Sequence, residues 1–101
     1  MSHGSSPQHE VGIASARAQL EADGLIVSKG EARRTTRRWQ RAMAHAAATL
    51  FQEGDTGDDL RVPIAMALCE VYPSGVGDER LAELVEAMLP IEVVSLGLSP
   101  A

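Results

Sequence analysis

Cysteine is almost missing from this chain: Cys69 stands alone among 101 residues. A lone thiol excludes an internal disulfide framework and a thiolate metal cluster, and it fits a reducing compartment. Aromatic residues are scarce as well, with Trp39, Phe51 and Tyr72 the three present, so Ala, Leu and Val must supply the core. No apolar run approaches the ~20 residues that a membrane helix needs, and the opening Met1-Ser2-His3-Gly4-Ser5-Ser6 lacks signal-peptide character. The expectation is a cytoplasmic protein with no membrane partner. A chain this short buries one modest core, which means one small domain.

What is present is helical periodicity. Residues 1–6 read as a disordered tail, 7–96 as a single helical domain and 97–101 as a second tail. A first helix has its start at Ser6-Pro7, because proline suits the first helical position. Ile13, Ala16 and Leu20 give it a narrow apolar stripe. Gly24 is placed to end it in the left-handed conformation, with Leu25 folding back. Ser28-Lys29-Gly30-Glu31 matches the Ser-x-x-Glu capping box and predicts a second helix from there to Gln52. Trp39, Ala42, Met43, Ala46 and Leu50 would share one face of it, with Arg33, Arg34, Arg37 and Arg41 opposite.

Gly54 to Asp59 reads as a polar loop. A third helix is predicted over Asp59 to Tyr72, with Leu60, Ile64, Ala67, Leu68 and Val71 inward and Pro63 in the first turn. Pro73 to Gly77 breaks the chain, and Asp78 is expected to cap a fourth helix. Leu81, Leu84, Val85, Met88 and Leu89 face inward there, Glu79, Glu83 and Glu86 face out, and Pro90 closes the segment. Ile91 to Leu96 is β-prone and is expected to pair with Leu25 to Val27. The fold class is mainly α: about four helices in one small domain, with at most a short two-stranded β pairing.

Charge is the strongest signal. Six of the nine basic residues, Lys29, Arg33, Arg34, Arg37, Arg38 and Arg41, lie within thirteen positions. Residues 24–52 carry six basic and one acidic side chain, a net of +5, whereas residues 53–92 carry ten acidic and two basic, a net of −8. Three readings stand side by side. The basic cluster docks an anion, most simply nucleic-acid phosphate, through bidentate arginine contacts. Alternatively the acidic half, or a second subunit, neutralises it through pairs of about 0–1 kcal/mol each. Or it is a plain solvated helix face.

The stretch Ala14 to Val27, Ala-Ser-Ala-Arg-Ala-Gln-Leu-Glu-Ala-Asp-Gly-Leu-Ile-Val, resembles the recognition helix and first wing strand of winged helix-turn-helix regulators. In that family a Leu-Glu-x-x-Gly-Leu-Ile stretch leads out of the DNA-reading helix. The resemblance spans about residues 13–36. It implies that Ser15, Arg17 and Gln19 face a DNA groove, and that Lys29, Arg33 and Arg34 contact the backbone from a wing.

Catalytic and cofactor motifs fail on inspection. Gly75-Val76-Gly77 lacks the third glycine of a dinucleotide fingerprint, and Gly24 to Gly30 lacks the Gly-Lys-Ser/Thr of a phosphate loop. Asp55 to Asp59 starts like a calcium loop, but Leu60 and Met66 occupy the positions of its glycine and closing glutamate. His3, His9 and His45 are too scattered for zinc. His3 beside a free amino terminus has the makings of a square-planar copper or nickel site, against the plainer reading of an exposed tail. Cys69 and Glu70 lie at the edge of the third helix, where His45 would reach them only by chance of packing; a Cys–His nucleophile needs contact and an orienting third group, whereas a lone helical cysteine is ordinarily a small buried hydrophobe. Trp39 could stack on a base, but its place on the apolar stripe makes it a core anchor.

No enzyme activity, cofactor or metal is expected. The leading expectation is a small binding protein whose anion-binding residues are Arg17, Lys29, Arg33, Arg34, Arg37, Arg38 and Arg41, with nucleic acid or an acidic protein as partner. The alternative is a protein-interaction or homo-oligomerisation module whose arginines pair with acidic residues.

Overall fold

In the computed structural model, residues 7–30, 32–55 and 59–97 are described, as are the side chains from Glu10 onward within them. The expectations for tail residues 1–6 and 98–101, for His3 and for the His9 side chain lie outside these residues. The order is α1 (Pro7–Ala22), β1 (Ile26–Lys29), β2 (Ala32–Thr35), α2 (Arg37–Gln52), α3 (Arg61–Val71) and α4 (Asp78–Ser95). The protein is mainly α, with one two-stranded antiparallel sheet.

Helix α1 starts at Pro7 and gives way at Gly24, whose φ of +74° is the left-handed value that glycine adopts without a Cβ penalty. Leu25 folds back: its N–H donates to the Leu20 carbonyl at 2.9 Å, and both side chains are fully buried. Ala16 and Leu20 are buried and Ile13 packs beside them.

The chain then departs from the predicted helix over 28–36. Ser28 lies in β1 rather than at a cap, and the strands pair Ile26 with Thr35, Val27 with Arg34, Ser28 with Arg33 and Lys29 with Ala32. Glu31, the other half of the predicted capping box, lies outside the described residues. The hairpin wins for a physical reason. A helix here would set Arg33 one turn from Arg37 and Arg34 one turn from Arg38, with repulsion of about 0.2–0.5 kcal/mol per pair. It would also hold Gly30, which sits at φ +63°, and the β-branched pair Thr35-Thr36. In a strand Arg33 and Arg34 point to opposite faces. The partner of β1 is therefore β2, and the expected pairing of Leu25–Val27 with Ile91–Leu96 does not occur.

Helix α2 starts at Arg37 because Thr36 is its cap, with Oγ1 accepting from the Trp39 N–H at 3.4 Å. The Thr36 N–H donates to the Leu25 carbonyl at 3.1 Å, which ties this start to the end of α1. Trp39, Ala42, Met43, Ala46 and Leu50 are the buried face. Helix α3 buries Ile64, Ala67, Leu68 and Val71 with Leu60 beside them, and Pro63 falls within its first turn, where its missing N–H is tolerated.

Helix α4 differs from expectation at both ends. Gly77 is the cap residue and Asp78 the first helical one. Pro90 sits inside the helix, which runs on to Ser95. One backbone bond is given up at Pro90, but Met88 before it and Ile91 and Glu92 after it are buried, and that packing outweighs local β propensity. Leu84, Val85 and Met88 line the core as expected, while Leu81 and Leu89 are partly buried. Helix α4 packs against α1, α3 and β2, and α2 packs on α3. Among the described residues no helix is long and apolar enough to cross a membrane.

Candidate anion-binding surface

The hairpin and the start of α2 set out the basic cluster. Strand alternation puts Lys29 and Arg34 on the face of the hairpin opposite Ile26 and Thr35, which are buried. Lys29 and Arg34 are both exposed. Diagonal neighbours on one hairpin face stand about 7–8 Å apart. On α2, Arg37 and Arg41 fall one turn apart and opposite the Trp39–Leu50 stripe, and both are exposed. None of these four cations has a hydrogen-bond or ion-pair partner among the described residues. The first turn of α2 carries Arg37 and Arg38 and no acidic residue. A cation there opposes the helix dipole by about 0.3–1 kcal/mol, so the unpartnered Arg37 does not serve the stability of α2.

The other basic candidates are engaged. Arg38 donates from Nη1 to the Asp23 carbonyl at 3.0 Å and from Nη2 to the Val71 carbonyl at 3.1 Å, closing off the ends of α1 and α3 together. Arg33 faces the core side of the hairpin, and its Nη1 lies 2.8 Å from Glu21 Oε1. That approach joins the charges without the alignment of a hydrogen bond, since the same nitrogen is buried with no hydrogen-bond acceptor. Arg17 is half-buried, and its Nε is likewise buried without an acceptor. An unmet buried donor costs about 1–3 kcal/mol. Of the other two residues that the family resemblance assigns to a groove, Ser15 is exposed, and Gln19 Oε1 accepts from Arg80 Nε of α4 at 2.8 Å.

Beneath this surface Trp39 is fully buried, and its indole N–H donates to Glu92 Oε2 at 2.6 Å. Glu92 is 1% exposed. Burial raises its carboxyl above the ordinary value of 4.5, and the bond from Trp39 opposes that rise. Sequence reasoning missed Glu92 because it lies in the stretch assigned to a strand. Tyr72, half-buried and bonded to Asp23, is also raised above its ordinary value, chiefly by burial.

His45 of α2 meets Glu70 of α3 on the surface. Cys69 is exposed, not buried as expected, because position 69 lies on the far side of α3 from Ile64, Ala67, Leu68 and Val71. Among the described residues no group of three or more His, Cys, Asp or Glu could hold a metal ion.

An open groove of about 520 Å³ runs between α3 and α4, floored by Val62, Ala65, Met66, Leu81 and Val85. The Arg61–Glu86 ion pair, at 2.7 Å, edges it. Phe51, at the end of α2, is 79% exposed. Compared with protein-family models, characterised proteins and solved structures, the chain matches none.

Proposed function

We propose that this is a small non-enzymatic protein that docks on nucleic acid through Lys29, Arg34, Arg37 and Arg41. The observation that carries this reading is that these four side chains are exposed and unpartnered among the described residues, while the arginine–glutamate ion pairs there use other arginines. Glu21 takes Arg33, Glu86 takes Arg61 and Glu83 takes Arg80. Each free cation can meet one phosphate oxygen, and phosphate contacts set position on a duplex without reading its sequence. Arg33 and Arg38 become framework residues that hold the hairpin and α2 in place. The order helix, strand, strand, helix is compatible with the resemblance to winged helix-turn-helix regulators, in which α1 would be the reading helix and β1–β2 the wing.

The test is a variant with Lys29, Arg34, Arg37 and Arg41 all changed to Gln, titrated against a labelled duplex at low salt. It should lose binding, whereas the double variant Arg61→Gln, Arg80→Gln should retain it. Equal binding by both variants defeats the proposal.

A second reading, a protein-interaction module, draws on the apolar α3–α4 groove and on exposed Phe51. Sedimentation velocity across a concentration series discriminates, because self-association through that groove would be weakened by Met66→Glu and not by the four-site variant.

A further inference from the structure

A cleft of about 320 Å³ lies between α1, β2 and α4, lined by Arg17, Ala32, Arg33, Pro90, Ile91 and Val94. Its lining combines two arginine side chains with the hydrocarbon of Ala32, Pro90, Ile91 and Val94, and holds no carboxylate. Arg17 Nε is buried without an acceptor, whereas Arg33 Nη1 lies 2.8 Å from Glu21 Oε1. Val94, which completes the hydrocarbon wall, is 70% exposed. The wall therefore has uncovered aliphatic surface in a cleft that Arg17 and Arg33 also line.

We propose that this cleft binds a small amphipathic carboxylate, with its head group on Arg17 and Arg33 and its aliphatic body against Pro90, Ile91 and Val94. A carboxylate offers two oxygens in a plane, which matches the forked N–H pattern of arginine. Both side chains line the cleft, and each guanidinium has five N–H donors, of which the Glu21 contact takes up Nη1 of Arg33. The volume stands at the lower end of the roughly 300–1,000 Å³ of small-molecule sites, which suits a short chain. The site uses neither Arg37 nor Arg41, so it goes beyond the nucleic-acid reading and stands or falls separately from it.

The experiment follows the arginine Nε–Hε signals of the full-length ¹⁵N-labelled protein by NMR during titration with hexanoate, hexanamide and inorganic phosphate. Hexanoate should shift the Arg17 and Arg33 signals saturably, with hexanamide and phosphate each at least about tenfold weaker, a difference of one decade in Kd. Arg17→Lys keeps the charge but loses the fork and should also weaken hexanoate about tenfold, with a backbone amide spectrum that stays dispersed. Hexanamide binding as well as hexanoate would remove the role of the guanidinium groups. Phosphate binding as well as hexanoate would remove the role of the aliphatic wall. No saturable shift at concentrations up to about 10 mM, well above a millimolar Kd, or an Arg17→Lys variant that binds like the wild type, would overturn the proposal.

Discussion

Replacing Trp39 by Phe separates the polar and apolar parts of the core's main anchor. The ring stays apolar and buried, but the indole N–H that reaches Glu92 at 2.6 Å is lost. Glu92 is 1% exposed, so no solvent takes the place of that donor. A hydrogen bond to an ionised group contributes about 1.5–3 kcal/mol and one to a neutral group about 0.5–1.5. The cost of Trp39→Phe should therefore depend on pH, larger by about 1 kcal/mol where Glu92 is ionised, on top of a constant packing loss for the smaller ring.

The sign follows from linkage. Burial raises the Glu92 carboxyl above 4.5 in the folded state, so the folded protein holds more protons than the unfolded chain across that window. Its contribution to stability is fully present below 4.5 and is lost as pH rises through the raised folded value. Urea unfolding followed by far-ultraviolet circular dichroism, for wild type, Trp39→Phe, Glu92→Gln and the double variant, measures this at pH values below and above the window. Glu92→Gln should flatten the loss, and the double variant should show coupling between the two sites. If Trp39→Phe costs the same at both pH values, and Glu92→Gln follows the wild-type pH dependence, the reasoning fails.

Three further substitutions test the assignment of framework and surface. Arg38→Ala removes donors to two helix-end carbonyls and should destabilise by about 1–3 kcal/mol. Arg37→Gln removes a cation from the first turn of α2 and from beside Arg41; thermal unfolding should show it neutral or stabilising by about 0.3–1 kcal/mol. Leu84→Ala empties a fully buried position on α4 and should cost about 2–5 kcal/mol in the same assay.

The parts of this fold that were legible in the sequence are those set by local pattern. The Trp39–Leu50 stripe, the glycine stop after α1 and the inward face of α3 each follow from spacing or from a left-handed glycine. The parts that were not legible are decided at a distance. Ser28-x-x-Glu31 satisfies a capping rule, but like charge at 33/37 and 34/38 and the conformation of Gly30 turn the segment into a hairpin. Val93 and Val94 read as a strand, yet Ile91 and Glu92 are held in α4 by burial and by Trp39. The basic cluster was plain from composition. Its division into free and engaged members was not, because Arg38 is held by carbonyls 15 and 33 positions away and Arg33 by Glu21 across to α1. The Arg17–Arg33 cleft likewise exists only once α4 continues past Pro90.

The most direct measurement of whether Lys29, Arg34, Arg37 and Arg41 form an anion-docking face is the affinity for a labelled duplex as a function of salt. Four phosphate contacts give a slope of about −3.6 in log affinity against log salt, or roughly a 150-fold loss between about 50 and 200 mM. Fluorescence anisotropy across that range should return a slope near this value. A slope close to zero, or no binding at the lowest salt, would contradict it.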